Sequence, residues 1–329
     1  MNWYPIRFVP IYQQRVWGGR RLASVYGRSL PDGVPIGESW EISDRQEAQS
    51  VVANGPLAGR TLQQLIAEDP SGVMGQAALR AGRFPLLIKI LDAREVLSLQ
   101  VHPPARLAAS MGGESKTEMW YFTAADAGAE ILAGLRSGTT RTDFERHLTE
   151  GKVEQCFHRL AVHPGDAMFL PSGRVHALGA GLLLFEIQEN SDTTFRVYDW
   201  NRQGLDGKKR PLHVAESLAS IDFSDHAPGL VASAWVEHGG LETRLLAGDP
   251  LFRVEAHRGP DAVWWRRPLD RCVVVGVVRG CLRLGDPVGG ERLGPGDFCL
   301  LPAGLEVAEA RLEGETEWLT AAPGAGGSL

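Results

Sequence analysis

A chain of 329 residues whose 40 acidic and 34 basic side chains are interspersed, for a formal charge of −6, has length for two domains and no basic tract to point to nucleic acid or an anionic membrane surface. No apolar run reaches the ~18 residues that span a bilayer, and the opening MNWYPIRFVPIYQQRVWGG lacks the basic-then-apolar order of a secretion signal, which predicts a cytoplasmic protein. The four cysteines, Cys156, Cys272, Cys281 and Cys299, show no CxxC spacing, and three lie in apolar strand-like runs, so buried reduced thiols are expected rather than disulfides or a thiolate metal site.

Residues 1–60 are rich in Gly and Pro and hold short alternating runs, IGESWEIS and QSVVANGPL, that suit strands joined by turns. Trp17-Gly18-Gly19 and Glu38-Ser39-Trp40-Glu41 stand out. For Trp17 the two readings are a core ring beside a turn and a ring that meets substrate. Thr61 with Gln64 forms a capping box that opens a helix through Glu68, and Pro70 closes it.

The stretch 85–118 reads as a buried strand, a turn, a second strand, a short helix and a third strand. Gln100 and His102 are two apart, so on a strand they share a face while Leu99 and Val101 point the other way. Lys116 and Glu118 share a face by the same rule, given that the aromatic run 119–122 is extended. Thr142 and Glu145 suggest a second capping box, for a helix that ends at Gly151 and turns Arg146, His147 and Glu150 to solvent. Strands are expected at 157–162, 167–170 and 182–188, with His176 just after a Pro-Ser-Gly turn. Helical spacing returns at 213–221 before an acidic, glycine-bearing connection.

Beyond residue 245 the pattern is short strands again: LFRVEAH, RCVVVGVVRG, CLRLGD, GDFCLLPAG and EWLTAA. GPGDFCLLPAG repeats the Gly-Asp-x-x-x-Leu-Pro-x-Gly frame of HPGDAMFLPSG, but where the first copy continues to His176 the second reads LEVAEA, with no imidazole. One working site and one structural copy follow. The expected division is a catalytic domain over 1–222, a connection over 223–240, a domain without metal ligands over 241–322, and a flexible tail over 323–329.

Gln100, His102, Glu118 and His176 together offer two nitrogens and two oxygens to one divalent ion. Each alone reads more simply as an ordinary core or surface residue. Their convergence in a strand-rich frame is what makes a site, and with no thiolate in the set a position is left for water or substrate oxygen.

The blocks PLLIKILDAREVLSLQVHPP, GESKTEMWYF, PSGRVHALGAG and EIQENSDTTFRVYDWNR, with GESWEIS near the start, closely resemble type I mannose-6-phosphate isomerase in its short bacterial form, from about Tyr12 to Leu218. The resemblance implies a mainly β bicupin with a few short helices and one divalent ion per chain, usually assigned zinc, that interconverts mannose 6-phosphate and fructose 6-phosphate. The family's ligands match Gln100, His102, Glu118 and His176. It places Arg196 at the substrate as a catalytic group and implies that Lys89 binds phosphate; ion pairs of Arg196 with Asp192 or Asp199, and of Lys89 with Asp92 or Glu95, are the ordinary alternatives. Lys116 and Glu186, beside the metal motifs, are the candidate proton shuttles, and Asp192 stands behind the substrate contacts. Longer members carry a His where Ser115 stands here, and a helical insertion for which this chain has no room. A bicupin oxygenase or epimerase, and a non-catalytic sugar-phosphate-binding module, are the rival readings. The expected partner is a small phosphorylated sugar, with no nucleic acid or membrane, and the chain a monomer or homodimer.

Overall fold

The computed structural model of the chain describes residues 1–285 and 290–324. It is mainly β with a few short helices, as predicted. In chain order, β1 (Ile11–Gly19) and α1 (Arg21–Tyr26) precede β2 (Ile36–Ile42) and a small hairpin of β3 (Asp44–Arg45) and β4 (Ala48–Gln49). Then come α2 (Leu62–Glu68), α3 (Pro70–Met74), β5 (Leu86–Ala93), β6 (Leu99–Val101), α4 (Ala105–Ala108), β7 (Glu118–Ala125) and β8 (Glu130–Leu135). The helix α5 (Arg141–Thr149) leads to β9 (Phe157–Ala161), β10 (Ala167–Leu170), β11 (His176–Leu178), β12 (Leu182–Glu189), β13 (Phe195–Tyr198) and α6 (Val214–Ser220). The last third holds β14 (Val236–His238), β15 (Leu241–Gly248), β16 (Phe252–Gly259), β17 (Trp264–Pro268), β18 (Val273–Leu284), β19 (Glu291–Leu293), β20 (Phe298–Leu301) and β21 (Val307–Pro323).

Two sheets build the part that carries the site, a six-stranded one in the order β1-β2-β5-β12-β7-β10 and a five-stranded one in the order β13-β6-β11-β8-β9. Their facing sides pack Trp17, Leu91, Trp120 and Phe122 against Ile131, Ala133 and Leu178. The other side of the five-stranded sheet carries Leu99, Val101, Leu132, Ala177, Phe195 and Val197, which bury against Phe144 of α5 and Ile221 beyond α6. Fully burying each of the larger side chains is worth roughly 1.5–3 kcal/mol, so the strand period of two leaves little choice of register. That alternation commits Gln100, His176 and Arg196 to the inner face, the predicted parity at Leu99 and Val101 included.

Local signals mostly do what the sequence implies. The Thr61–Gln64 box caps α2 reciprocally. Pro70 does more than close that helix, since it is the first residue of α3, where its missing N–H costs nothing. The box of α5 is Thr140 with Asp143, not Thr142 with Glu145. On its outer face Arg146 pairs with Asp143 and Glu150, as a solvated face should.

The chain divides into two compact units, neither continuous in sequence. One gathers Met1–Ile11, Trp40–Ile88 and the residues from Ala232 onward, and the other gathers Tyr12–Ser39 and Lys89–Val231. The chain passes between them inside β1, β2 and β5 and once more after Val231. This differs from the expected single domain over 1–222, because residues 1–11 and 40–88 join the C-terminal strands, and β14 lies within the expected connection. The eight-stranded sheet of the first unit is built around β18, β21 and β16. RCVVVGVVRG and CLRLGD, expected as two strands, form the single β18. Gly280 at φ +73 is absorbed there at a register shift between Arg279 and Cys281, and a bulge takes the place of a break. All four cysteines are buried and free. Of the expected tail, Pro323 closes β21 and Gly324 donates to Leu251 O, while 325–329 lie outside the described residues.

Candidate metal centre

His176 opens β11 and pairs in register with Gln100 of β6, and His102 follows directly after β6. Glu118 opens β7 in the other sheet. The folding of three separate stretches thus brings His102, Glu118 and His176 together, fully buried, with one ligand atom of each within 4.8 Å of the others. Glu118 Oε1 is 3.3 Å from His176 Nε2, and Oε2 is 3.5 Å from His102 Nε2. His102 Nδ1 lies 2.8 Å from Thr193 O and His176 Nδ1 2.9 Å from Arg174 O. A carbonyl oxygen only accepts, so each Nδ1 carries the proton and each Nε2 presents its lone pair to the carboxylate.

The charges suit a cation. Burial, then the Lys116 charge, pulls His102 down to about 4, and burial likewise lowers His176, so both rings are neutral. Burial alone would raise the Glu118 carboxyl, but the Lys116 ammonium beside it outweighs this and holds Glu118 well below the usual carboxylate range. His102 Nε2 and both Glu118 oxygens are buried without a well-formed hydrogen bond, the nearest charge to Oε2 being the Lys116 ammonium at 2.9 Å. Leaving buried polar atoms unsatisfied is costly, and a divalent ion among two neutral nitrogens and a carboxylate would satisfy all three. Gln100 Nε2 lies 3.3 Å from His176 Nε2, so its amide is at the same place.

A cavity of about 580 Å³ opens beside this group, lined by Gln100 and Lys116 and by Arg15, Trp17, Lys89, Glu186, Asp192 and Arg196. Charges alternate across its six-stranded wall. Arg15 Nε meets Glu38 Oε1 at 2.6 Å, Lys89 Nζ lies 3.4 Å from Glu38 Oε2 and 3.3 Å from Glu186 Oε2, and Trp120 Nε1 donates to Glu186 Oε1 at 3.0 Å. These residues sit on β1, β2, β5, β12 and β7, five neighbouring strands. Gly37 makes the first contact possible, since a Cβ there would stand 2.6 Å from Arg15 Cβ and 2.7 Å from the Trp17 ring.

The ten residues named from the sequence for metal, substrate or proton transfer lie at or beside this cavity. Two of the ion pairs suggested for them differ. Lys89, 3% exposed, pairs with Glu38, Glu186 and Asp192 and not with Asp92 or Glu95, because Asp92 instead accepts from Arg21 N. Arg196 has no carboxylate within ion-pair distance among the described residues; its Nη1 donates to Pro211 O, its Nε is buried without a partner, and Asp199 is taken by Arg202 and Arg210. Trp17 is packed in the core, as one of its readings expects, and its ring also lines the cavity. Ser115 is buried, its hydroxyl 3.4 Å from Glu189 Oε1. Arg15 and Arg210 were not expected, and Glu38 stood out only within Glu38-Ser39-Trp40-Glu41, with no role assigned. Arg15 alternates with Trp17 along β1, which is the one local hint that it faces inward.

A family model described as phosphomannose isomerase type I, catalytic domain, matches residues 6–133. The chain is 37% identical over 327 residues to the mannose-6-phosphate isomerase ManA of Bacillus subtilis (strain 168), covering 96% of this chain and 98% of that one. It is 35% identical over 290 residues to a mannose-6-phosphate isomerase of Streptococcus mutans, covering 88% and 89%. Among solved structures, that of the mannose 6-phosphate isomerase from Bacillus subtilis superposes with a TM-score of 0.87 at 30% identity, over 97% of this chain and 99% of that one. The mainly β architecture is accordingly the bicupin expected from the sequence. Identity at this level over almost the full length of both chains, around a buried His-Glu-His group able to hold one metal ion, makes this chain a member of the type I phosphomannose isomerase family.

Proposed function

We propose that the chain is a metal-dependent aldose-ketose isomerase that interconverts mannose 6-phosphate and fructose 6-phosphate through an enediolate. The observation that carries the reading is the set of orphaned polar atoms on His102 and Glu118, beside His176, at a polar cavity of sugar-phosphate size. His102, Glu118 and His176 would hold the ion, with Gln100 as fourth ligand through its amide oxygen, and zinc suits this donor set. When bound, such an ion stabilises the negative oxygen that develops as the proton leaves carbon.

The chain's own residues supply the rest. Glu186, fixed by Trp120 Nε1–H and the Lys89 ammonium, is placed to move a proton between neighbouring substrate carbons. Lys116, against Glu118 and lining the cavity, is placed to donate a hydrogen bond or proton to substrate oxygen. Arg196, with no carboxylate of its own, faces the substrate from the opposite sheet. Lys89, Asp192 and Trp17 line the cavity around the sugar. A small phosphorylated sugar as partner, a cytoplasmic location and a monomer or homodimer complete the reading, the substrate being supported by relatives named for the same isomerase.

Metal analysis paired with a fructose 6-phosphate assay tests this. About one divalent ion per chain is expected, with isomerisation abolished by chelation and restored by zinc. Full turnover after exhaustive metal removal, or oxygen uptake in place of isomerisation, would overturn it.

A further inference from the structure

We propose that the phosphate of the substrate is seated by Arg15 and Arg210, beside Arg196, and not by Lys89. This rests on the isomerase reading for the identity of the ligand, though the anion seat itself has independent support. The two sheets facing each other across the cavity both end in a strand that carries an arginine. β1, at one end of the six-stranded sheet, carries Arg15, and β13, at one end of the five-stranded sheet, carries Arg196. His176, Gln100 and Arg196 are register partners on consecutive strands, so the row of ligands continues directly into a cation on the terminal strand. Arg210, from the loop after β13, lines the same cavity.

Lys89 is poorly placed to hold a dianion. Its ammonium has carboxylate oxygens at 3.3, 3.4 and 3.9 Å, from Glu186, Glu38 and Asp192, and a phosphate brought there would meet net negative charge. Arg196 and Arg210 have the opposite balance, and Arg15, though paired with Glu38 at 2.6 Å, keeps a guanidinium fork with N–H groups beyond that contact. Asp199 is the one carboxylate shared by Arg202 and Arg210, and Arg196 has none of its own among the described residues. Arg196 is further depressed below its usual pKa by burial and by the like charges of Arg210, Arg202 and Arg15, against the pull of Asp199. Half-buried cations in local surplus, one with its Nε fully buried, favour the binding of an anion.

Donors are left over at each position. Arg15 uses Nε for Glu38 and Nη1 for Gln14 O, which leaves Nη2. Arg210 uses Nε and Nη2 for Asp199, which leaves Nη1. Arg196 has a buried Nε with no acceptor. Guanidinium N–H groups converging from two sheets and a loop match the several acceptor oxygens of a phosphate. Asp206, also at the cavity, accepts from Lys208 N.

The test is calorimetric titration of the metal-loaded protein with inorganic phosphate and with fructose 6-phosphate, with kinetics alongside, on Arg15→Gln, Arg15→Lys, Arg210→Lys and Lys89→Met. Each arginine substitution is expected to weaken inorganic phosphate binding by roughly tenfold and to raise KM for fructose 6-phosphate more than it lowers kcat, with metal content unchanged. The lysine-bearing variants keep the charge and lose only the fork, so they serve where Arg15→Gln misfolds. Lys89→Met is expected to lower kcat with inorganic phosphate affinity unaltered within about twofold. Unaltered phosphate affinity in the arginine variants, or its loss in Lys89→Met, overturns the assignment. Phosphate bound through the arginines by a protein that does not isomerise would leave the seat standing and remove the isomerase reading instead.

Discussion

The same turn-and-strand frame occurs once in each unit, and its two copies end differently. In both, an aspartate receives the backbone N–H three residues earlier, His163 N to Asp166 at 2.8 Å and Gly294 N to Asp297 at 2.9 Å, behind a glycine of positive φ. In both a short strand follows, β10 or β20, and then a proline. Five residues past that proline stands His176 in one copy and Val307 in the other. Around His176 the cavity is polar and holds about 580 Å³; around Val307 is a cleft of about 230 Å³ bordered by Leu301, Leu305 and Ala308.

Buried histidines of the two units make the contrast sharper. His257, in the unit without the metal centre, has both nitrogens occupied, by Thr243 Oγ1 at 3.0 Å and Thr320 Oγ1 at 2.9 Å, and its ring stacks on Trp318. His102 has only its Nδ1 occupied. A satisfied imidazole is part of the packing; one with a bare lone pair facing a buried carboxylate is waiting for a cation.

The largest test of this contrast is to give the working copy the residue of the other. His176→Val should remove the bound ion and lower isomerase turnover on the order of a thousandfold or more, read by metal analysis and assay. Retained metal with near-normal turnover would break the comparison.

A middle-sized effect is expected at His257. Burial, with Arg267 acting against Glu255, holds its pKa at about 4 in place of the usual 6.5. Between those values the unfolded chain binds a proton that the folded one refuses. The stabilisation is therefore complete above pH 6.5 and is lost as the pH falls toward 4, by up to about 3 kcal/mol. Denaturant unfolding at pH 7 and pH 5 should show this loss in the parent protein and a flatter dependence in His257→Gln.

The smallest effects are those of the shared turns. Asp166→Ala and Asp297→Ala should each cost about 1 kcal/mol for the lost hydrogen bond to backbone N–H, measured by thermal unfolding. Asp297→Ala should cost somewhat more, because Asp297 also accepts from Arg7 Nη2 at 2.8 Å. Equal costs would mean that the ion pair contributes nothing.

What could be read in advance follows from how far each signal reaches along the chain. Gln100, His102, Glu118 and His176 were legible because strand parity and punctuation are local, and three such motifs coincide. Arg15, Glu38 and Arg210 acquire meaning only from neighbours across the sheets, since no sequence spacing links Arg15 to Glu38 to Lys89. The α5 cap was misplaced because Thr140–Asp143 and Thr142–Glu145 are overlapping patterns of equal local merit, and the helix begins at the earlier one. Gly280 misled for a related reason: glycine marks both a strand end and a bulge, and pairing of β18 with β21 on both sides of it decides for the bulge. The division into units was hidden because residues 1–11 and 40–88 group with strands beyond Ala232, as Ile6 does with Leu300, and no local spacing announces a partner that far along the chain.

That interleaving bears on how the chain is made. Domains tend to fold as units while synthesis proceeds from the N-terminus. Every residue of the metal-bearing unit has been translated once Val231 has left the ribosome. The segments 1–11 and 40–88 emerge early and can pair with each other, as Phe8 does with Val52, but Ile6 gains its bridge to Leu300 only when the last strands appear. The nascent polypeptide thus has the whole of the part that does chemistry in hand before the other unit receives its final third.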